Sequence, residues 1–314
     1  MKRLLWFTCC SIQSLVWTTA AQATPISESP YLPTTFDLSA DRTAASVENV
    51  PTNSLAQGMP STESLSTPPS PPEPIVNDDY KLPTSPGFSI FNPVGFGADN
   101  NTVFFSVSYQ QRTRFTQIAD GEAGFGIGLG DAYRSLGAEL SYSINSFGSS
   151  AGFGSGAFNI KLHKRLSEDT SVAVGWNQFL QVRFKGGPNL GTDYPSNSYY
   201  AAGTKIFRTR ANADDFFSRV AVTGGVGSGV FLRFDRTLSP GTSNSGLNAF
   251  GSVGVRVARP VSAILEWTGQ DLAAGLSIAP FENFPLVITP AIRDLAGAGD
   301  GARFVVGSSL FFNF

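Results

Sequence analysis

The chain ends on RFVVGSSLFFNF, Arg303 to Phe314. Phe304, Val306, Leu310, Phe312 and Phe314 fall on one side of a period of two, and Arg303, Gly307, Ser309 and Asn313 fall on the other. That period sends the two sets to opposite faces of a strand. A soluble domain gains little from ending a strand on phenylalanine. A sheet closed on itself with lipid outside, whose last strand completes the closure, has a use for it.

Working back from this strand, the same alternation recurs to about residue 91 and resolves into roughly twelve segments. Thr102–Gln110 sets Val103, Phe105, Val107 and Tyr109 on one face. In 123–131, Phe125, Ile127 and Leu129 oppose glycines, and from 136 onward Leu136, Ala138, Leu140, Tyr142 and Ile144 oppose Gly137, Glu139, Ser141, Ser143 and Asn145. Phe158, Ile160 and Leu162 continue the pattern, then Val172, Val174 and Trp176. Further strands are predicted near 199–207, 217–234, 249–258, 261–268, 271–279, 285–292 and 303–314. The glycines of 217–234 suggest a bulge, and Pro285 and Pro290 make 285–292 the weakest strand. The odd-numbered links (111–122, 146–156, 180–198, 235–248) are on the whole longer than the even ones, the tightest being Arg259-Pro260. Long links on one side and short turns on the other suit a barrel.

A soluble sandwich also alternates, but its solvent face would be densely charged. Here the second face is mostly Gly, Ser and Ala with scattered charges, and a sheet in lipid must close so that every backbone group is paired. The expected fold is all-β: a transmembrane antiparallel up-and-down barrel over residues 91–314. Tyr109, Trp176, Trp267, Phe312 and Phe314 are candidates for its aromatic belts.

Ahead of the barrel, Lys2 and Arg3 precede a mostly apolar stretch to Ala20, and Ala21-Gln22-Ala23 supplies a small-x-small cleavage pattern. Residues 1–23 are therefore predicted to be a signal peptide. Thr8, Ser11, Gln13 and Ser14 interrupt the apolar run and argue against a membrane-spanning anchor. Cys9 and Cys10, the two cysteines, lie inside it, which leaves the mature chain without disulfides or cysteine metal sites. Residues 24–90 are rich in Pro, Ser and Thr, with the run PPSPPEP at 68–74, and read as a disordered periplasmic extension. With 22 basic and 24 acidic residues the net charge is -2, so a nucleic-acid partner is not expected.

This organisation resembles the outer-membrane barrel proteins of Gram-negative bacteria, and its glycine-rich, low-charge style resembles cyanobacterial members. LFFNF at 310–314, with Phe312 and the terminal Phe314, is similar to the C-terminal signal read by the barrel-assembly machinery. The resemblance implies location in the cell outer membrane, with outer-membrane lipids and that machinery as partners. Major cyanobacterial porins typically carry an N-terminal surface-layer-homology domain, which the proline-rich extension does not resemble.

Glu139, Lys161, Arg219, Arg233, Arg256, Glu266 and Arg303 fall on the less apolar face of their strands. Because Arg or Lys at a bilayer midplane costs about 2–4 kcal/mol, these side chains are expected to line the lumen. They suggest passive diffusion of ions or small hydrophilic solutes, with a weak excess of positive charge favouring anions. The alternative is a non-conducting structural or ligand-binding barrel whose lumenal charges pair across a narrow interior. A lipid hydrolase is a further alternative, because His163 is the one histidine. No G-x-S-x-G elbow accompanies it, and no enzyme activity, cofactor or metal is expected. The glycine clusters at 124–128, 152–154 and 225–229 lack a P-loop lysine and read as strand faces free of side chains.

Overall fold

The computed structural model describes residues 85–114, 117, 119–144, 153–184, 198–233 and 246–314. The expected signal peptide and most of the expected extension lie outside these residues, as do parts of the longer links. The described residues form twelve antiparallel strands closed into one barrel. They are β1 Thr102–Gln110, β2 Asp120–Gly130, β3 Gly137–Ile144, β4 Gly156–Ser167, β5 Thr170–Val182, β6 Ser198–Arg208, β7 Arg219–Gly227, β8 Asn248–Ala258, β9 Val261–Trp267, β10 Leu272–Ile278, β11 Leu286–Arg293 and β12 Arg303–Asn313. Each pairs with its neighbours in chain order, and β12 closes on β1 from Thr102↔Asn313 to Gln110↔Val305 without a register shift. The short turns after β2, β4, β6, β8 and β10 share one end with the start of β1; the other links share the opposite end.

The alternation read from the sequence sets the two faces. Phe105, Val107, Leu140, Val174, Leu265, Phe304 and Phe312 are exposed on the outside, while Phe104, Ser106, Glu139, Ser141, Ala173, Glu266 and Val305 are buried within. The exposed apolar outside is continuous from strand to strand. The sheet has no free edge, which is how a barrel satisfies its backbone.

Three irregularities follow from particular residues. The β4–β5 register shifts between Phe158 and Ile160, where Gln178 (φ 56°) bulges and its N–H bonds Asn159 Oδ1 at 2.8 Å. The 217–234 stretch is not one strand with a bulge. It ends at Gly227 and turns into a short 3-10 helix, η1 (Gly229–Phe231), which carries Phe231 inward to stack on Phe250 at 4.5 Å. Pro290 does occupy strand β11, paired with Val306 on β12. On its other side the β10–β11 ladder is interrupted between Gly275↔Ala291 and Ile278↔Ile288, consistent with the missing proline N–H.

Candidate functional site

The lumen is the site where polar side chains converge, and residues 85–99 run through it. This strap contains Phe88, Ile90, Phe91, Val94 and Phe96 among Ser, Gly, Asn and Pro. It enters beside the even-numbered turns, where Arg256 of β8 hydrogen-bonds Ser85 and Ser277 of β10 accepts from Gly87 N at 2.7 Å. It climbs to Glu266 near the far end of β9, then descends past β6 and β5 to β4 and β3 before joining β1.

Glu266 holds the apex. One carboxylate oxygen accepts from Ile90 N at 2.9 Å and from the Ser89 hydroxyl; the other accepts from Phe91 N at 2.6 Å and Asn92 N at 2.9 Å. Successive backbone N–H groups of the bend thus converge on a buried carboxylate, which compensates for its removal from water. Asn92 Nδ2 donates to the carbonyls of Gly251 and Trp267 at 3.1 and 2.9 Å, tying the apex to β8 and β9. Ile90 and Phe91 pack with Ile264, Ala273, Ala291 and Val305 of the wall, and the Arg293 guanidinium lies 4.7 Å from the centroid of Phe91.

The descending arm is anchored in turn by β6, β5, β4 and β3. Gly95 N donates to Thr204 Oγ1 at 2.8 Å, and the Ser171 hydroxyl donates to Gly95 O at 2.7 Å. A Cβ on Gly95 would sit 2.0 Å from the carbonyl oxygen of Ser171, so only glycine allows this approach. Lys161 Nζ donates to Phe96 O at 2.5 Å, Ala98 N donates to Glu139 Oε2 at 3.0 Å, and Arg165 covers the Phe96 ring. His163 is buried against Gly97 and Gly137, with Nε2 3.9 Å from Asp99 Oδ2. Val94, Phe96, Ile206 and Ala221 form one apolar cluster with Phe88; Ala98, Phe104, Val287 and Phe311 form another.

Toward the odd-numbered links the lumen meets an ion network. Asp271, fully buried, pairs with Arg114, with Arg293 at 2.5 Å and with Arg303 at 2.9 Å. Arg303 also lies 3.7 Å from Asp294 and 3.3 Å from Asp300, and Asp300 binds Arg112. Burial alone would raise the Asp271 carboxyl, but Arg293, Arg114 and Arg303 outweigh it and hold the group below the usual carboxylate range. The network joins the links after β1, β9 and β11 with β11 and β12.

Six of the seven lumenal candidates are buried on the inner face: Glu139, Lys161, Arg219, Arg256, Glu266 and Arg303. Glu139, Lys161, Arg256 and Glu266 meet the strap, Arg303 joins the ion network, and Arg219 donates to the carbonyls of Arg210 and Ser218 at 2.9 and 2.8 Å. Arg233 is the exception. It follows η1, belongs to no strand and is exposed, because the inward turn of Phe231 ends the alternation that would have placed it. Phe312 and Phe314 are exposed at the end where β12 meets the start of β1. The boundary expected between residues 90 and 91 falls inside the strap, between two residues of one apolar cluster. The signal available in sequence was the return of apolar residues at Phe88, Ile90, Phe91, Val94 and Phe96, which differs from the proline-rich stretch before it and breaks its alternation at Phe91-Asn92.

No protein-family model matches the chain, and no curated protein matches it. Among solved structures, the chain is similar to the attachment invasion locus protein Ail of Yersinia pestis, in complex with the heparin analogue sucrose octasulfate. The alignment has a TM-score of 0.19 and 10% identity and covers 68% of this chain and 99% of that one.

Proposed function

We propose that the chain is an outer-membrane barrel held closed by its own strap, with a structural or ligand-binding role at rest. The observation that carries this reading is Glu266, whose carboxylate is occupied by the strap at Ser89, Ile90, Phe91 and Asn92. The membrane placement is supported by the apolar outer face: a soluble barrel would leave Phe105, Val107, Leu140, Val174 and Leu265 in water. Outer-membrane lipids surround this face, and Phe312 and Phe314 engage the assembly machinery. Passive diffusion of ions or small solutes belongs to a released state in which residues 85–99 have left the lumen.

Both ring nitrogens of His163 lack a hydrogen-bond partner, so the serine pairing needed by a hydrolase is not formed among the described residues.

The test is single-channel recording of the refolded chain in a planar lipid bilayer. Folded wild-type protein is expected to be silent, while Glu266→Ala, or replacement of Ile90 and Phe91 by serine, produces discrete steps. Stable steps from the wild type would overturn the closed reading and return the standing pore in its place. A salt gradient across the opened variants then reads the charge preference of the bared lumen.

A further inference from the structure

The strands keep nearly all their charged side chains inside. Among the described residues, the charged side chains of outward register on the twelve strands are Lys164 of β4 and Lys205 of β6. Both are basic, both lie toward the even-numbered turns, and they flank β5: Lys164 pairs with Val172, Val172 with Gly203, and Thr170 with Lys205. At a strand spacing of roughly 4.8 Å, two strands set their backbones about 10 Å apart laterally. Lys164 Nζ donates to Tyr133 O at 3.1 Å and keeps two further N–H groups. Lys205 is exposed, and the neighbouring acids do not neutralise it, since Arg208 holds Glu168 at 2.7 Å and Asp169 at 2.9 Å.

Beside these lysines the outer surface is hollowed into an apolar groove of 640 Å³, lined by Leu136, Leu162, Val172, Val174, Ala201 and Val226, with Lys164 at its edge. Gly203 lines it without a side chain, and a Cβ there would touch only Val172, at 3.9 Å. An apolar groove with Lys164 at its edge, and with Lys205 the next outward residue after Gly203 on β6, is complementary to a molecule with a long apolar chain and an anionic head. Lysine stems can follow the apolar surface while their ammonium groups reach the interface.

We propose that this surface binds an anionic phospholipid, with its phosphate between Lys164 and Lys205 and one acyl chain in the groove over Gly203. The inference rests on the membrane placement proposed above. Electrostatic attraction of about 1 kcal/mol per lysine corresponds to about a five-fold enrichment for each.

The test uses the full chain refolded into phosphatidylcholine vesicles, with Trp6, Trp17 and Trp267 replaced by Phe so that Trp176 alone reports. Trp176 is the next outward residue after Val174 on β5. Bromine on an acyl chain quenches a nearby indole. One arm carries brominated phosphatidylglycerol at a minor mole fraction, and the other carries the same fraction of brominated phosphatidylcholine. The expected result is stronger quenching by phosphatidylglycerol, abolished by Lys164→Gln with Lys205→Gln and kept by the paired arginine substitutions, with folding of each variant checked by circular dichroism. Equal quenching in the two arms would overturn the proposal while leaving the protein in the bilayer. Absence of quenching in both arms would overturn the membrane placement, and the proposal with it.

Discussion

Glu139 and Lys161 stand directly opposite one another on β3 and β4, yet each is engaged by the strap: Glu139 accepts from Ala98 N and Lys161 donates to Phe96 O. Each of the two therefore couples the wall to the strap. Both residues are almost fully buried. Removing one partner leaves the other charge uncompensated, which costs about 3–5 kcal/mol, whereas replacing both by apolar groups of similar size costs much less. Glu139→Leu and Lys161→Met are each expected to lower the urea midpoint of the refolded barrel strongly. The double variant should recover much of the loss, and additive losses in the double-mutant cycle would show that the two do not act as a pair.

At the apex, Glu266→Gln conserves the shape but removes the charge and gives up an acceptor. Hydrogen bonds to a charged group contribute about 1.5–3 kcal/mol each, and here several donors share one carboxylate. Amide hydrogen exchange of Ile90, Phe91 and Asn92 should accelerate at least ten-fold in the variant, while exchange in β1 and β12 stays unchanged. Unaltered protection at the three strap amides would mean that the apolar packing of Ile90 and Phe91 holds the bend without the carboxylate.

The strands were legible because a barrel wall imposes one rule along the chain: apolar residues out, small or polar residues in. The rule fails at Phe104, Val287, Val305 and Phe311, which pack inside, but it turns Glu139, Lys161, Arg256, Glu266 and Arg303 inward, where they are buried. It could not reveal their partners. The strap's alternation breaks at Phe91-Asn92, and its neighbours differ at every step: Glu266 for Ile90, Ser171 for Gly95, His163 for Gly97. Nor could it place Asp271 or Asp294, which lie in links and acquire their roles only when the closed sheet brings Arg293 and Arg303 to them. Arg233 failed for the converse reason: the alternation was carried past Gly227, where the chain had already left the wall.

Two glycine substitutions separate seating of the strap from formation of the wall. Gly95→Ala forces a methyl group against the backbone carbonyl of Ser171, whereas Gly224→Ala projects one into open space on the outer face. Overpacking of the first kind costs about 1–3 kcal/mol. Gly95→Ala is expected to open residues 85–99 to limited proteolysis and to raise single-channel activity, with β-sheet circular dichroism retained. Gly224→Ala should match the wild type in both assays. Equal behaviour of the two variants would show that contact between Gly95 and Ser171 does not seat the strap.

The ion network at Asp271 gives the barrel an acid limit of definite sign. Its folded carboxyl titrates below the ordinary range because three arginines favour the charged form over the effect of burial. The unfolded chain, with an ordinary carboxyl near pH ~3.9, therefore takes up the proton first as the pH falls. The stabilisation is complete above that unfolded value and is lost as the pH drops through the lower folded value, where the native group is also protonated. Asp271→Asn is accordingly expected to lower the urea midpoint at pH 6, and the difference from wild type to shrink as the pH falls below the unfolded carboxyl value, so that the profile of the variant is flatter across the acid range. A constant difference between variant and wild type over the whole range would assign the loss to the side-chain hydrogen bonds of Asp271 and remove its charge from the account.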